Sequence, residues 1–175
     1  MKISLSGNGQ TKKTVGSLQF STLHSPFSIL FVCTGNTCRS PMAEVLARHA
    51  AEGLKLEFGS AGVAALHGEP ASQNARHAME GRGLSLEGHR ARRLTPELAA
   101  QADLILTMTA SHAQAVRQAA PAAKVFTLRE YLGEAGDVAD PWGGSRTEYE
   151  ACAGELESLV LRAIERLTTC EKEVF

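Results

Sequence analysis

Ile29-Leu30-Phe31-Val32-Cys33-Thr34-Gly35-Asn36-Thr37-Cys38-Arg39-Ser40-Pro41 is the stretch on which the reading of the whole chain turns. Its four leading apolar residues form a short continuous run that suits a strand buried on both faces, and the run ends in a polar, glycine-containing turn. Pro41 stands where a first helical residue would, and Met42, Val45, Leu46, His49 and Ala50 follow at the spacing of one helix face. Strand, loop and helix therefore follow one another. In open α/β sheets ligands sit beyond the carboxyl ends of strands and against the N-terminus of the next helix, so the loop is where a site is expected.

The loop lacks the Gly-Lys-Ser/Thr ending of a nucleotide-binding P-loop. It has the parts of an anion cradle instead. Gly35 and Asn36 tolerate left-handed backbone angles, which lets successive N–H groups turn inward around an oxyanion. Arg39 supplies a planar fork matched to two oxygens of a tetrahedral anion, and the helix adds its positive end. The same features favour a thiolate at Cys33, and cysteines so placed commonly have pKa values of roughly 3.5–7.5. A nucleophile and a phosphate cradle would then share one loop. A reversible disulfide between Cys33 and Cys38 is a second expectation, protecting the nucleophile from higher oxidation.

Downstream the pattern keeps alternating. Leu54 to Phe58 reads as a second strand running into Gly59-Ser60-Ala61-Gly62, and Ala71, Ala75, Ala78 and Met79 mark a helix stopping near Gly81. Thr95-Pro96-Glu97 is a helix start with cap, N1 proline and early acid. Asp103 to Met108 is a third strand, a helix over 110–119 ends before Pro121, and Lys124 to Leu128 is a fourth strand. A last helix carries Leu156, Leu159, Val160, Ala163, Ile164 and Leu167 on one stripe. The expected fold is α/β: three layers, with a four-stranded parallel sheet covered by helices on both faces.

Composition narrows the class. The 175 residues suit one domain, and no apolar run approaches the ~18 residues that span a bilayer. Eighteen basic residues against nineteen acidic ones leave a net charge of −1, with no general attraction to nucleic acid or anionic lipid. Four cysteines are too few for a disulfide scaffold and favour a reducing, cytoplasmic setting; their spacing does not suit zinc, and neither metal nor cofactor is expected. The first 27 residues hold three lysines and no acid, leaving −4 for residues 28–175. That contrast divides the chain into a leader over 1–27, read as a disordered extension or a transit-like segment, and a domain over 28–175.

Cys33-x5-Arg39-Ser40-Pro41 at the end of the first strand resembles the low-molecular-weight protein tyrosine phosphatases, and Asp140-Pro141 lies where that family has its general acid. Ser60-Ala61-Gly62 and His89-x-Ala91-Arg92 are similar to further family segments. Within the family, the loop through Glu44, Leu106 to Thr109, Val125 to Tyr131 and Asp140-Pro141-Trp142-Gly143-Gly144 look like the bacterial protein arginine phosphatases.

The resemblance implies roles. Cys33 is the nucleophile, Asp140 the acid and base, and Thr34 to Ser40, with Arg39, the phosphate-binding loop. Asn36, Ser40, Ser60 and His89 form a supporting hydrogen-bond set. Thr37 stands where tyrosine-specific members carry a bulky aliphatic residue, favouring phosphoarginine over phosphotyrosine, and Trp142 either walls the substrate pocket or packs on its loop. Phosphorylated proteins are the implied substrates. His24, His49, His67, His77 and His112 are read as surface or helix-face residues, and Cys152 and Cys170 as structural. Arsenate reduction is disfavoured because residues 39–151 hold no cysteine for a relay, and a non-enzymatic phosphate-binding module because Cys33 and Asp140 are both retained.

Overall fold

The computed structural model describes residues 26–169; most of the leader, and Cys170, lie outside the described residues. Ten elements follow in order: β1 Phe27–Cys33, α1 Arg39–Ala50, β2 Leu56–Gly62, α2 Gln73–Glu80, α3 Pro96–Ala100, β3 Leu104–Thr107, α4 Ala110–Ala119, β4 Val125–Thr127, α5 Leu128–Tyr131 and α6 Arg146–Thr169. The strands form one all-parallel sheet in the order β2-β1-β3-β4. The expected α/β class and layering hold.

Alternation along β1 assigns the two cores. Phe27, Ile29, Phe31 and Cys33 face a large cluster built with Met42, Ala43 and Leu46 of α1, Ala75, Ala78 and Met79 of α2, and the Leu156 to Leu167 stripe of α6. Leu30 and Val32 face the other way, onto Ala99 of α3 and Ala113 and Val116 of α4. A strand buried on both faces has no polar side to show, which is why its sequence is a continuous apolar run. The chain leaves β1 for β2 on one side and later returns to β3 on the other, so the sheet order switches at the carboxyl end of β1, between β1 and β3.

Several boundaries differ from the sequence reading, among them the start of α1, which lies at Arg39 and makes Pro41 its third residue. Phe27 is the first residue of β1 and is buried, so the strand begins inside the predicted leader. β2 runs on through Gly59 to Gly62 instead of stopping at Phe58; a Cβ at Gly62 would lie 2.5 Å from the Thr34 carbonyl oxygen and 2.8 Å from the Asn36 nitrogen. Glycine here permits the loop after β1 to press against its neighbouring strand; it does not end the strand. Leu128 belongs to α5, because Thr127 and Glu130 make a reciprocal capping box that turns the chain into a helix after three strand residues.

Candidate active site

Cys33 ends β1, and the next five residues wrap around its sulfur before α1 begins at Arg39. The Asn36 backbone N–H points at Cys33 Sγ at 3.3 Å, and Ser40 Oγ lies 2.9 Å from the same atom. Burial pushes the Cys33 thiol up from its ordinary value. The Ser40 hydroxyl, the Ser40 and Asn36 backbone amides and the Arg39 charge all pull it down. This corrects the expectation of a lowered pKa: the loop supplies the stabilising groups the sequence implied, but it also closes over Cys33, a residue 3% exposed, and removal from water outweighs them.

Asn36 is the hub of the loop. It is fully buried and adopts φ 56°, the left-handed region that its short polar side chain tolerates. Its amide nitrogen donates to Ser40 Oγ and to Ser60 Oγ, each at 2.9 Å, and its side-chain oxygen accepts from the Arg92 backbone N–H at 2.9 Å. His89 Nε2 donates to its carbonyl at 2.7 Å. Ser60 in turn donates to Glu44 Oε2 at 2.6 Å, which carries the network onto α1. The structure thus brings Asn36, Ser40, Ser60 and His89 together from three separate segments.

Arg39 spans two loops. It is almost fully buried, donating from Nη1 to the Val138 carbonyl at 3.0 Å and from Nη2 to Asp140 Oδ2 at 2.6 Å. The Asp140 side chain is 46% exposed, and its other oxygen accepts from the Trp142 backbone N–H at 3.2 Å. The residue at the end of the cradle therefore holds the carboxylate that follows it by a hundred positions. Thr34 is exposed and Thr37 half-buried at the loop rim, and Gly35 lies between them without strain. Trp142 stands 77% exposed.

Cys38 has hydrogen-bond partners of its own. Its thiol lies 3.1 Å from the Tyr149 hydroxyl and donates to Ser72 Oγ at 3.3 Å, while Cys33 bonds to Ser40; both cysteines are free thiols. Burial, and the adjacent Cys38, push Tyr149 up to about 12. Cys152 is buried on the core face of α6, where removal from water raises its thiol to about 12.

His112 is a helix-face residue of α4, as one of its two expected placements has it, but not a surface one. His112 is buried, and its ring bridges Thr34 Oγ1 at 2.8 Å from Nε2 and Thr109 Oγ1 at 2.9 Å from Nδ1. The Thr109-x-x-His112 spacing marks a helix cap with its third residue, but the contact with Thr34 joins positions 78 apart and leaves no local signature. The contacts of Glu44 with Ser60 and of Tyr149 with Cys38 likewise join residues distant in sequence.

A family model for low molecular weight phosphotyrosine protein phosphatase matches residues 28–173. The chain belongs to that family. Among its relatives, a protein-arginine-phosphatase of Geobacillus stearothermophilus is 42% identical over 147 residues, 82% of this chain and 98% of the relative. One from Bacillus subtilis is 44% identical over 79% of this chain and 95% of its own length. A low molecular weight protein-tyrosine-phosphatase, Etp of Escherichia coli, is 42% identical over 74% and 87% respectively. The solved YwlE arginine phosphatase from Geobacillus stearothermophilus superposes with a TM-score of 0.80 at 41% identity, covering 86% of this chain and 98% of that one. A YwlE mutant with a phosphorylated active site serine gives 0.79 at 43% identity, over 81% and 96%.

Proposed function

We propose that this chain is a protein phosphatase that hydrolyses phosphoarginine through a cysteinyl-phosphate, with residues 28–175 as its catalytic domain. The observation that carries the chemistry is that the loop Thr34 to Ser40 bonds the sulfur of Cys33 through Ser40 and the Asn36 amide, while its Arg39 guanidinium holds the Asp140 carboxylate. Support for the substrate comes from Thr37 at the rim and from relatives named as arginine phosphatases.

Each group has a task in this mechanism. Cys33 attacks phosphorus as the thiolate, in line with the leaving nitrogen; the S–P bond forms as the P–N bond breaks. Asp140 protonates the departing guanidine nitrogen. It then takes a proton from water, which attacks the cysteinyl-phosphate, breaks the S–P bond and releases inorganic phosphate and the thiolate. Phosphoryl transfer asks mainly for positioning and charge stabilisation, which the loop amides and Arg39 supply. The Ser40 hydroxyl and the Ser40 and Asn36 amides, which oppose the cost of burial at Cys33, are the groups that favour the anion during attack. Trp142, beside Asp140, offers a flat apolar face on which a guanidinium can stack.

The substrates in this proposal are phosphorylated proteins, met in the cytoplasm. No helix among the described residues is long and apolar enough to cross a membrane. Phosphotyrosine hydrolysis is the second reading, favoured by tyrosine-phosphatase relatives of similar identity. A paired assay on phosphoarginine and phosphotyrosine peptides, with Cys33→Ser as the control, decides between them. Phosphoarginine should be hydrolysed well above phosphotyrosine, and Thr37→Ile should move the ratio toward tyrosine. Equal rates on both by the unaltered chain would sink the arginine reading.

A further inference from the structure

The turn between β3 and α4 touches both halves of the site. Thr109 caps α4, accepting from the His112 backbone N–H at 3.3 Å, and its hydroxyl meets His112 Nδ1. The opposite ring nitrogen reaches Thr34 Oγ1 in the cradle. On the same turn the Met108 carbonyl accepts from the Val138 N–H at 2.9 Å, and the Ala110 N–H donates to Asp137 Oδ1 at 2.9 Å. Val138 supplies the carbonyl that holds Arg39, and Asp140 lies two residues on. One short turn thus fastens the loop carrying Asp140 by backbone bonds and the loop carrying Cys33 by a side chain.

Resting on the assignment of residues 34–40 as a phosphate cradle, we propose that His112 is a positioning residue of this site, tying Thr34 and with it the opening of the cradle to the turn that also fastens the Asp140 loop. The ring's chemistry suits the task. A neutral imidazole has one donor and one acceptor, and a threonine hydroxyl can serve as either, so both bonds are made in either tautomer. Burial, and then the Arg39 charge, hold His112 below its ordinary pKa against the opposing Asp140 and Asp137 carboxylates, which keeps the ring neutral near pH 7. A buried ring bonded at both nitrogens has little room to turn. An amide cradle stabilises an oxyanion to the extent that its donors are already in place, and Thr34 sits at the exposed rim of the loop, where the His112 bond ties its side chain.

The test needs no turnover. Calorimetric titration of the full chain with inorganic phosphate should show about tenfold weaker binding in His112→Asn, whose shorter side chain should lose Thr34, and about the same in Thr34→Val, as expected for one partly buried hydrogen bond. The double variant should be no weaker than either single one, because both remove the same bond. Thr34→Ser, which keeps the hydroxyl, should recover affinity to within about threefold of the unaltered chain. Single effects that multiply in the double variant, or a folded His112→Asn that binds phosphate normally, would overturn the proposal. Should His112→Asn fail to fold, the exposed Thr34 pair still decides, and equal phosphate affinity in Thr34→Val and Thr34→Ser would equally overturn it. A chain that binds phosphate and shows this coupling, yet does not hydrolyse phosphoarginine, would defeat the proposed substrate and leave the tie standing.

Discussion

Replacing Asn36 separates two contributions to the loop: what its side chain bonds, and what its backbone angle costs. Asn36→Gly removes three side-chain hydrogen bonds but accepts φ 56° without strain. Ser40 and Ser60 keep other partners, at Cys33 and Glu44, so those two losses cost roughly 0.5–1.5 kcal/mol each, whereas the Arg92 N–H is orphaned at roughly 1–3 kcal/mol. The expected loss is about 4 kcal/mol, which for a domain of this size lowers Tm by about 8–16 °C. Asn36→Ala makes the same losses and adds the left-handed penalty of about 1–2 kcal/mol, partly offset because glycine is freer when unfolded, so alanine should be worse by about 1 kcal/mol. Urea denaturation followed by circular dichroism measures both. An alanine variant as stable as the glycine variant refutes the backbone part. Two variants within about 0.5 kcal/mol of the parent, no more than an ordinary surface change, refute Asn36 as the hub.

Three further outcomes follow from the same geometry. Gly62→Ala drives a Cβ into the backbone of Thr34 and Asn36 and should cost about 1–3 kcal/mol and weaken phosphate binding, while Gly88→Ala, with open space around it, should do neither; melting curves and phosphate titration compare them. Arg39→Lys loses the planar fork that meets Val138 and Asp140 together, and kcat on an aryl phosphate should fall about 10²–10³-fold; a loss under tenfold would contradict its place in the site. His112 is held below its ordinary pKa, so near and below pH 6.5 the unfolded chain binds the extra proton first. Its contribution to stability is therefore full above that range and declines as pH falls from about 6.5 toward the lower folded value, and the urea midpoint should drop more between pH 7.5 and 5.5 in the parent than in His112→Asn.

Local patterns carried most of the fold into view. The apolar run of β1, the apolar stripe of α1, the Thr95-Pro96 start and the stripe on α6 are all statements about neighbours in sequence, and helix over 110–119 coincides with α4. Gly59 and Gly62 misled because glycine reads as a break when only the chain itself is visible; here it marks the approach of another segment. Leu128 misled because strand propensity competed with a capping box spanning Thr127 to Glu130.

The sequence by itself determined the class of the sheet, the order of its elements and the loop at which an anion would sit, because hydrophobic period, caps and left-handed turn residues act within a few positions. Tertiary structure decided the rest of the site. Only packing brings Asp140 to Arg39, Ser60 and Arg92 to Asn36, and His112 to Thr34, since each pair lies between 24 and 101 positions apart. The same closure decided the state of Cys33, for a loop that gathers amides around a sulfur also shuts water out. How those two effects balance depends on burial, which is a property of the folded whole.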